Sequence, residues 1–363
     1  MAADSELVVA IVGAGIGGTE LAGYLGLNRQ RVRLHDVRTD AVDGIRERGG
    51  LEVSGIASGF APIERATTDL AEALDGASLI AVTTLNNDHE TVAAALAPLL
   101  HSGQTVCLMP GCVGGSLQLR HSLDELGCRA QVRLGEIDNF PLTGAILGPA
   151  AVRLASLKRR LQVSALPAAD TRAVAELVRR ALPPVVPAAN VFQTGLATMN
   201  PVLHVPGMLG NQGRLDAGER FQFYGAGISP SVARVISAVD AERMAVARAF
   251  EVEVPTLRGW LAYTYGLEGD ELYALIQRLH TEVFKDSPAP GALATRYVTE
   301  DVPYGLVPLA ELGRLAGVPM PVCDALTTLA SAALARDFRS EGRTLARMGL
   351  QGLSLQAARA AAL

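Results

Sequence analysis

Apolar and polar positions alternate between strand-like and helix-like spacing through the first half of the chain. A continuous apolar run at residues 7–12 ends at a glycine, which predicts a strand buried on both faces. Helical spacing follows over 19–27, and a second strand is predicted over 32–36. Further strands are predicted at 79–82, 105–109 and 131–135, helices at 41–47, 70–74 and 90–100, and a short excursion begins at 51–53. This alternation predicts an α/β fold with a doubly wound parallel sheet.

The pattern changes after about residue 185, where prolines at 183, 184 and 187 interrupt the chain. Helical spacing dominates beyond them, and Ser229-Pro230 supplies an N-cap and a first-turn proline for a long amphipathic helix that reaches Phe250. More helices are predicted at about 270–284, 308–316, 322–337 and 355–362. The sequence therefore predicts one domain over 1–187 and an all-helical domain over 188–363.

A glycine-rich turn separates the first strand from the first helix. Its sequence is Gly13-Ala14-Gly15-Ile16-Gly17-Gly18, with the spacing GxGxxG. The first glycine permits a tight turn, the second lets the backbone approach a pyrophosphate, and the third allows close packing of helix and strand. The helix N-terminus adds N–H donors and a positive dipole end. In this strand–turn–helix context the motif predicts that residues 1–187 bind a dinucleotide.

An acidic residue ends the second strand, where an adenosine ribose would be held. Asp36 lies 23 residues after Gly13 and favours NAD, because a carboxylate repels the 2′-phosphate of NADP. Arg38 could reach such a phosphate, so NADP stays open. Thr83, Thr84 and Leu85 follow another strand at the carboxyl edge of the sheet, where a nicotinamide would lie.

Composition excludes several other classes of protein. The formal net charge is −5 and aromatic residues make up 4%, which argues against nucleic-acid binding. No apolar run reaches the roughly 18 residues of a membrane span, and the acidic N-terminus does not resemble a signal peptide. The four cysteines lack the spacing of a disulfide framework or a zinc site, so we expect no metal, reduced thiols and a cytoplasmic protein.

Two segments in the second half contain side chains that could carry chemistry. One is TMNPVLHVPG at 198–207, whose His204 is either a core histidine or a catalytic one. The other is RYVTEDVPYG at 296–305, in which Arg296 and Asp301 could simply form a loop ion pair. Functional side chains concentrate in loops on a rigid scaffold, so both segments are candidates for a site.

These segments resemble the octopine/nopaline (opine) dehydrogenase family. The similar pieces occur in family order: GAGIGG, PGCVGG at 110–115, NPVLH at 200–204, FYGAGISPSVARVISAVDAER at 223–243 and RYVTEDVPYGLVP at 296–308. The resemblance implies a Rossmann domain followed by a helical domain, with the site in the cleft between them. It implies that His204 is the catalytic acid/base, Asp301 its partner and Arg296 the clamp for a substrate carboxylate. Ile137 after Glu136 departs from the family's pattern and leaves the keto-acid pocket open.

The activity implied by this resemblance is the condensation of a 2-keto acid with an amino acid or other amine, followed by reduction of the imine with NAD(P)H. A histidine suits the proton transfers near neutral pH, and an arginine fork suits a planar carboxylate. Asn200 either binds substrate, orients His204 or caps the turn. The expected partners are these small molecules; the oligomeric state is open, with a homodimer as one option.

Two alternative functions remain at this point. A reductase of the ketopantoate reductase or glycerol-3-phosphate dehydrogenase type would share the architecture but needs a catalytic lysine, and the chain has only Lys158 and Lys285. A dinucleotide sensor without catalysis would need no contact between His204 and Asp301, which lie 97 residues apart.

Overall fold

The computed structural model describes residues 7–363, which form two compact units. The first unit contains the chain up to Gly111, residues Gly115–Val191 and the last two residues. The second contains Cys112–Gly114 and Phe192–Ala361. This division follows contacts within the fold, and the boundary after residue 187 stays a prediction of domain organisation.

The first unit is built from twelve strands and six helices in the part of the chain described. The strands are β1 (Val8–Val12), β2 (Arg31–His35), β3 (Gly50–Gly55), β4 (Gly59–Pro62), β5 (Arg65–Thr67), β6 (Leu79–Val82), β7 (Thr105–Leu108), β8 (Arg133–Ile137), β9 (Leu142–Gly148), β10 (Ala151–Leu157), β11 (Leu161–Leu166) and β12 (Val185–Pro187). The helices are α1 (Ile16–Leu27), α2 (Thr39–Arg48), α3 (Leu70–Leu74), α4 (His89–Leu96), α5 (Gly115–Glu125) and α6 (Thr171–Ala181).

Eight strands form the main sheet, in the order β12-β11-β8-β7-β6-β1-β2-β5. The six strands from β8 to β5 are mutually parallel, which confirms the predicted parallel sheet. Strand β11 runs antiparallel to β8 and pairs in parallel with β12, an extension that the alternation did not predict.

Strand β1 lies in the middle of the main sheet and is buried on both faces, as predicted. Val9 and Ile11 belong to the hydrophobic core on one face, and Val8 and Val12 belong to the core on the other. A central parallel strand covered by helices on both sides leaves no face for water, which is why its sequence is continuously apolar. This burial fixes the point at which the glycine-rich turn leaves the sheet.

A second sheet of four strands packs on the first helix. Its order is β4-β3-β10-β9, and it includes the excursion predicted at 51–53. Glycines on α1 permit the approach: a Cβ at Gly23 would lie 3.0 Å from Val152 Cγ1, and one at Gly26 would lie 2.8 Å from the carbonyl oxygen of Pro62. Helix α1 therefore contacts both sheets, and most of its residues are buried.

The second unit is built from helices. They are α7 (Val191–Leu196), α8 (Asn200–Leu209), α9 (Gln212–Asp216), α10 (Pro230–Ala249), α11 (Leu257–Tyr265), α12 (Leu272–Arg278), α13 (Arg296–Thr299), α14 (Val307–Leu315), α15 (Pro321–Leu334), α16 (Phe338–Glu341) and α17 (Leu355–Ala360). Two π-helical turns, Leu279–Val283 and Val302–Leu306, extend α12 and precede α14. These elements confirm the predicted all-helical character.

The long helix α10 is capped and packed as its sequence predicts. The Ser229 hydroxyl accepts a hydrogen bond from the N–H of Val232. The fully buried Arg243 donates to the carbonyl oxygens of Leu196 and Pro255 and to Asp240. A buried guanidinium needs such partners because its charge cannot be left unsolvated. Arg243 thereby ties α10 to the end of α7 and to the segment before α11.

Candidate active site

The glycine-rich turn of the first unit has the geometry of a phosphate-binding loop. Gly13 has a φ of +108°, and a Cβ at Gly18 would lie 1.7 Å from the Gly13 carbonyl oxygen. Only glycine fits at position 18 for this reason. At Gly15, by contrast, no atom of the described chain lies within 4 Å of a Cβ position. The backbone beside Gly15 is thus open to a ligand at the N-terminus of α1.

Asp36 lies beside this loop and is held by backbone donors. Its Oδ2 accepts the N–H of Ala14 at 2.8 Å, and its Oδ1 accepts the N–H of Arg38 at 2.9 Å and the Nε of that residue at 3.2 Å. Burial acts to raise the pKa of Asp36, but the N–H groups of Arg38 and Ala14 and the Arg38 guanidinium lower it overall. Asp36 is therefore a carboxylate at neutral pH.

The residues after β6 complete the surroundings of the loop. Thr83 donates its hydroxyl proton to the carbonyl oxygen of Gly13 at 2.8 Å, so this side chain supports the turn. The buried hydroxyl of Thr84 has no hydrogen-bond partner among the residues that the structure describes. Such an orphaned group is expected where a ligand supplies the partner. Ile16, Val37 and Leu85 expose large apolar side chains around the same loop.

These features fit a nicotinamide dinucleotide. The first-turn N–H groups of α1 and the open Gly15 suit a pyrophosphate, since those donors have no intrahelical acceptor. The Asp36 carboxylate suits the ribose hydroxyls. Apolar groups such as Leu85 suit the flat faces of the bases. The predicted cofactor residues thus lie together in the first unit.

Glu136 supports a helix in the structure. It is fully buried in β8, and its Oε2 accepts the N–H of Ser116 at 2.9 Å, at the start of α5. A Cβ at Gly111 would lie 2.5 Å from this oxygen, so the Pro110-Gly111 turn packs directly on the carboxyl group. A carboxylate at a helix N-terminus is favoured by the unpaired N–H groups there.

His204 and Asp301 meet in the second unit. Nδ1 of His204 lies 2.7 Å from Oδ2 of Asp301, and each side chain is 6% exposed. In the neutral ring, Nδ1–H donates a hydrogen bond to this carboxylate, which leaves Nε2 as a hydrogen-bond acceptor. A histidine arranged in this way can take and return a proton at Nε2 while the carboxylate stabilises the imidazolium.

The contact between His204 and Asp301 depends on close packing between α8 and the turn Val302–Leu306. A Cβ at Gly305 would lie 2.1 Å from Cγ of Pro201, so only glycine lets the two backbones approach this closely. Pro201 stands in the first turn of α8, where a missing N–H costs nothing. This packing brings together the segments at 198–207 and 296–305, although His204 and Asp301 lie 97 residues apart in the chain.

Two tyrosines that sequence reasoning did not assign surround the histidine. The Tyr297 ring stacks on the imidazole at 3.8 Å between centroids with an interplanar angle of 3°. The Tyr224 hydroxyl lies 3.2 Å from Nε2 of His204. Burial raises the pKa of Tyr224 well above its ordinary value. The only available signal was that both tyrosines occur inside the matched motifs of a chain poor in aromatic residues.

Other aromatic side chains extend from Tyr224. Its ring stacks on Phe284 at 5.1 Å and meets Phe223 edge-on at 5.0 Å. Tyr265 meets Phe284 edge-on at 5.7 Å and Trp260 at 5.4 Å. These contacts hold the Tyr224 ring from two sides.

Arg296 and Asn200 lie on the elements that carry the pair. The Arg296 side chain, at the start of α13, is 55% exposed, and its nearest carboxylate in an ion pair is Glu300 at 3.8 Å, not Asp301. Burial acts to lower the pKa of Arg296, but the carboxylates of Glu300 and Asp301 raise it overall. Asn200 is the first residue of α8, one turn before His204 and on the same face of the helix.

The described residues contain neither a cluster of metal ligands nor a helix suited to cross a membrane. No group of three or more His, Cys, Asp or Glu side chains within residues 7–363 is placed to hold a metal ion. In the same range, no helix combines the length and apolar character that a membrane crossing needs.

Comparison with known proteins links these geometries to one group of enzymes. Residues 187–334 match the family model of the NAD/NADP octopine/nopaline dehydrogenase alpha-helical domain. The chain is 36% identical to an opine dehydrogenase from Arthrobacter sp. (strain 1C), covering 97% of this chain and 98% of the relative. It is 26% identical to the protein ocs of Agrobacterium tumefaciens (strain Ach5), covering 96% and 97%. A solved octopine dehydrogenase with NADH and L-arginine is similar in fold, with a TM-score of 0.78, 21% identity and 97% of each chain covered.

Proposed function

The chain belongs to the opine dehydrogenase family, and on that premise we propose that His204, Asp301 and Arg296 carry its reaction. The enzyme is an NAD(P)-dependent oxidoreductase that acts on the CH–NH group of its donors. It joins a 2-keto acid to the amino group of a second substrate by reducing the imine that they form. The observation that carries the proposed roles is the 2.7 Å contact between His204 and Asp301.

His204 is the group that moves protons during imine formation. When the amine adds to the keto carbon, nitrogen must lose a proton, and when water leaves, the hydroxyl must gain one. Nε2 can take the first proton and return it in the second step, because Asp301 holds Nδ1 and stabilises the imidazolium in between. The dehydrated product is the imine whose carbon is then reduced.

Arg296 binds the carboxylate of the keto acid. Its guanidinium is half-exposed and its ion pair with Glu300 is long, at 3.8 Å, so a second carboxylate can still take a bidentate hold. Such a hold fixes which face of the keto carbon is attacked. Asn200, one turn before His204, is placed to bind substrate or to orient the imidazole.

The cofactor is bound by the glycine-rich loop of the first unit. When bound, the reduced nicotinamide supplies the hydride to the imine carbon. The loop residues 13–18, the Asp36 carboxylate and residues 83–85 hold it, and the structural neighbours include enzymes with NADH or NADP⁺ bound. We propose a preference for NADH, because Asp36 is a carboxylate. Arg38, whose side chain is 57% exposed, is the group that could compensate a 2′-phosphate.

The alternative functions have less support. The lysine-dependent reductases need a free ammonium group, whereas Lys158 donates to the Phe140 carbonyl oxygen at 2.7 Å in the first unit. A dinucleotide sensor without catalysis would need no contact between His204 and Asp301, yet the two are hydrogen-bonded.

A screen of cofactor oxidation tests the proposal. NADH and NADPH oxidation is measured with pyruvate or 2-oxoglutarate against a panel of amino acids and other amines. We expect turnover with at least one pair and faster turnover with NADH. His204→Ala should lose imine reduction by about 10²-fold or more while NADH affinity, measured by fluorescence titration, stays unchanged. Equal loss of both in this variant would mean that His204 is structural, and no turnover with any pair would contradict the proposed function.

A cytoplasmic location and a homodimer complete the proposal. Cell fractionation and the sedimentation velocity of the purified protein measure these two properties directly. Recovery in the membrane or secreted fraction would contradict the first, and a monomer at micromolar concentration would contradict the second.

A further inference from the structure

The nitrogen of His204 that must exchange protons with substrate already has a partner. Asp301 occupies Nδ1 at 2.7 Å, so chemistry is left to Nε2. The hydroxyl of Tyr224 lies 3.2 Å from Nε2, in the position where a reacting hydroxyl would have to bind. A substrate can therefore reach Nε2 only by displacing this phenol or by exchanging protons through it.

The Tyr224 ring is held in place by its neighbours. Phe284 stacks on it, and Phe223 meets it edge-on, with centroids 5.1 Å and 5.0 Å away. Phe223 itself is packed against α8, where a Cβ at Gly207 would lie 2.6 Å from its Cζ. Turning the phenol away from His204 would break these contacts in a closely packed interior.

The imidazole is also covered on its face. Tyr297 stacks on it at 3.8 Å, and Phe223 meets it edge-on at 5.8 Å. With one face covered by Tyr297 and Nδ1 bonded to Asp301, the Tyr224 hydroxyl is the polar group that borders the remaining nitrogen.

We propose that Tyr224 is a catalytic residue that relays the proton between Nε2 of His204 and the substrate. This inference rests on the proposed function. In the dehydration step, the C–O bond of the carbinolamine breaks as the Tyr224 hydroxyl gives its proton to the departing oxygen. The phenolic oxygen takes the Nε2 proton of the imidazolium at the same time. Carbinolamine and imidazolium thus become iminium, water and neutral histidine, and the tyrosine is regenerated.

The two proton transfers must occur together. Burial raises the pKa of the Tyr224 phenol, so a free phenolate would be costly in this site. A concerted relay never forms the phenolate, because the hydroxyl loses one proton and gains another. The titratable and charged groups around the phenol are His204, whose Nε2 lies 3.2 Å from the hydroxyl, and Tyr297, Tyr265, Arg296 and Asp301.

Tyr224→Phe tests the relay because it keeps the ring and its packing and removes only the hydroxyl. We expect the single-turnover rate of NADH oxidation with keto acid and amine to fall by about 10²-fold, with NADH affinity unchanged. The matched control is Tyr265→Phe, which also removes the hydroxyl of a ring that contacts Phe284. We expect this control to keep its rate within about twofold.

A second measurement keeps the inference testable if Tyr224→Phe does not fold. The single-turnover rate of the unaltered enzyme is measured in mixtures of H₂O and D₂O. Two protons moving together predict a curved dependence on the deuterium fraction, whereas one proton predicts a straight line.

The outcomes separate this inference from the proposed function. A rate within twofold for Tyr224→Phe, equal losses in both tyrosine variants, or a linear isotope dependence would overturn the relay. If the unaltered enzyme turns over a keto acid and an amine while Tyr224→Phe does so equally well, only the relay fails. If the unaltered enzyme turns over no such pair, the proposed function fails.

Discussion

At the scale of single residues, the environment of His204 distinguishes it from the other histidines of the chain. Every histidine side chain has an unperturbed pKa near neutral pH, so the residue type alone is weak evidence for catalysis. Here Asp301 fixes its tautomer at 2.7 Å and Tyr224 lies at the opposite nitrogen. The sequence marked His204 and Asp301 as candidates, but for Tyr224 it offered only a position inside a matched motif, which does not show that the hydroxyl lies beside the imidazole.

The variant Asp301→Asn measures how much the Asp301 carboxylate contributes to catalysis by His204. The amide keeps the size of the side chain but loses the charge that stabilises the imidazolium. We expect kcat to fall by about 10²–10⁴-fold, with NADH affinity unchanged in a fluorescence titration.

The matched control for this change is Asp324→Asn, a carboxylate of the same unit that is paired with Arg314 and Arg339 on the surface. Its kcat should stay within about twofold, because surface ion pairs contribute little. Equal losses of kcat in the two variants would argue that charge removal acts through stability and not through His204.

At the scale of elements, β1, the glycine-rich loop and α1 form the best-predicted part of the molecule. Each sequence signal for this part involves only neighbouring residues: a buried strand is continuously apolar, a tight turn needs glycine, and the helix begins directly after the turn. For the second sheet, the sequence indicated only the start of a short excursion from the strand–helix alternation, at 51–53. Its strands β4 and β9 are short or half-exposed and contain glycine, so they lack a clear period-two pattern.

The glycines at positions 15 and 18 should respond differently to alanine. Gly18→Ala places a Cβ 1.7 Å from the Gly13 carbonyl oxygen and should lower the free energy of unfolding by about 1–3 kcal/mol or more. Gly15 has φ −69° and ψ −172°, which alanine adopts freely, and its Cβ would meet no described atom within 4 Å. Gly15→Ala should therefore keep its stability within about 0.5 kcal/mol.

The same Gly15→Ala variant should bind NADH about tenfold or more weakly, because the added methyl occupies the space left for the pyrophosphate. Urea unfolding gives the stabilities and fluorescence titration gives the Kd. Unchanged NADH affinity in Gly15→Ala would place the pyrophosphate elsewhere.

At the scale of the whole molecule, stability includes a cost from buried charge in the first unit. Asp138, immediately after β8, is 1% exposed and accepts the N–H of Gln162 at 3.0 Å. Burial raises the pKa of Asp138 to about 7 and lowers the pKa of Lys158 to about 8, although each charge favours the other. The charge of Glu20 on α1 also acts on Lys158.

These shifts predict how stability varies with pH. The pKa of Asp138 is raised in the folded state. Its stabilising contribution to the free energy of unfolding is therefore fully present below the unfolded pKa of about 3.9 and is lost as pH rises through about 7. The pKa of Lys158 is lowered in the folded state. Its stabilising contribution to the free energy of unfolding is therefore fully present above the unfolded pKa of about 10.4 and is lost as pH falls through about 8. Neither contribution is present between pH 7 and 8.

The double variant Asp138→Asn, Lys158→Met removes both charges and serves as the reference. The free energy of unfolding of the unaltered enzyme, minus that of the variant, should be smallest between pH 7 and 8. It should rise toward pH 5 and toward pH 10 in urea titrations. A difference that does not change with pH would show that neither group titrates as its burial implies.

The features of this protein that its sequence predicts are those set by interactions between residues close together in the chain. The parallel strands, the phosphate loop with Asp36, and the helical second half follow from burial, backbone freedom and capping within short segments. Tertiary structure alone decided the second sheet, the antiparallel end of the main sheet and the surroundings of His204. Tyr224 and Asp301 reach the imidazole only because Gly207 and Gly305 let Phe223 and the turn at 302–306 pack against α8. Contacts between residues so far apart depend on how complete side chains fit together, and no local pattern of polarity records that fit.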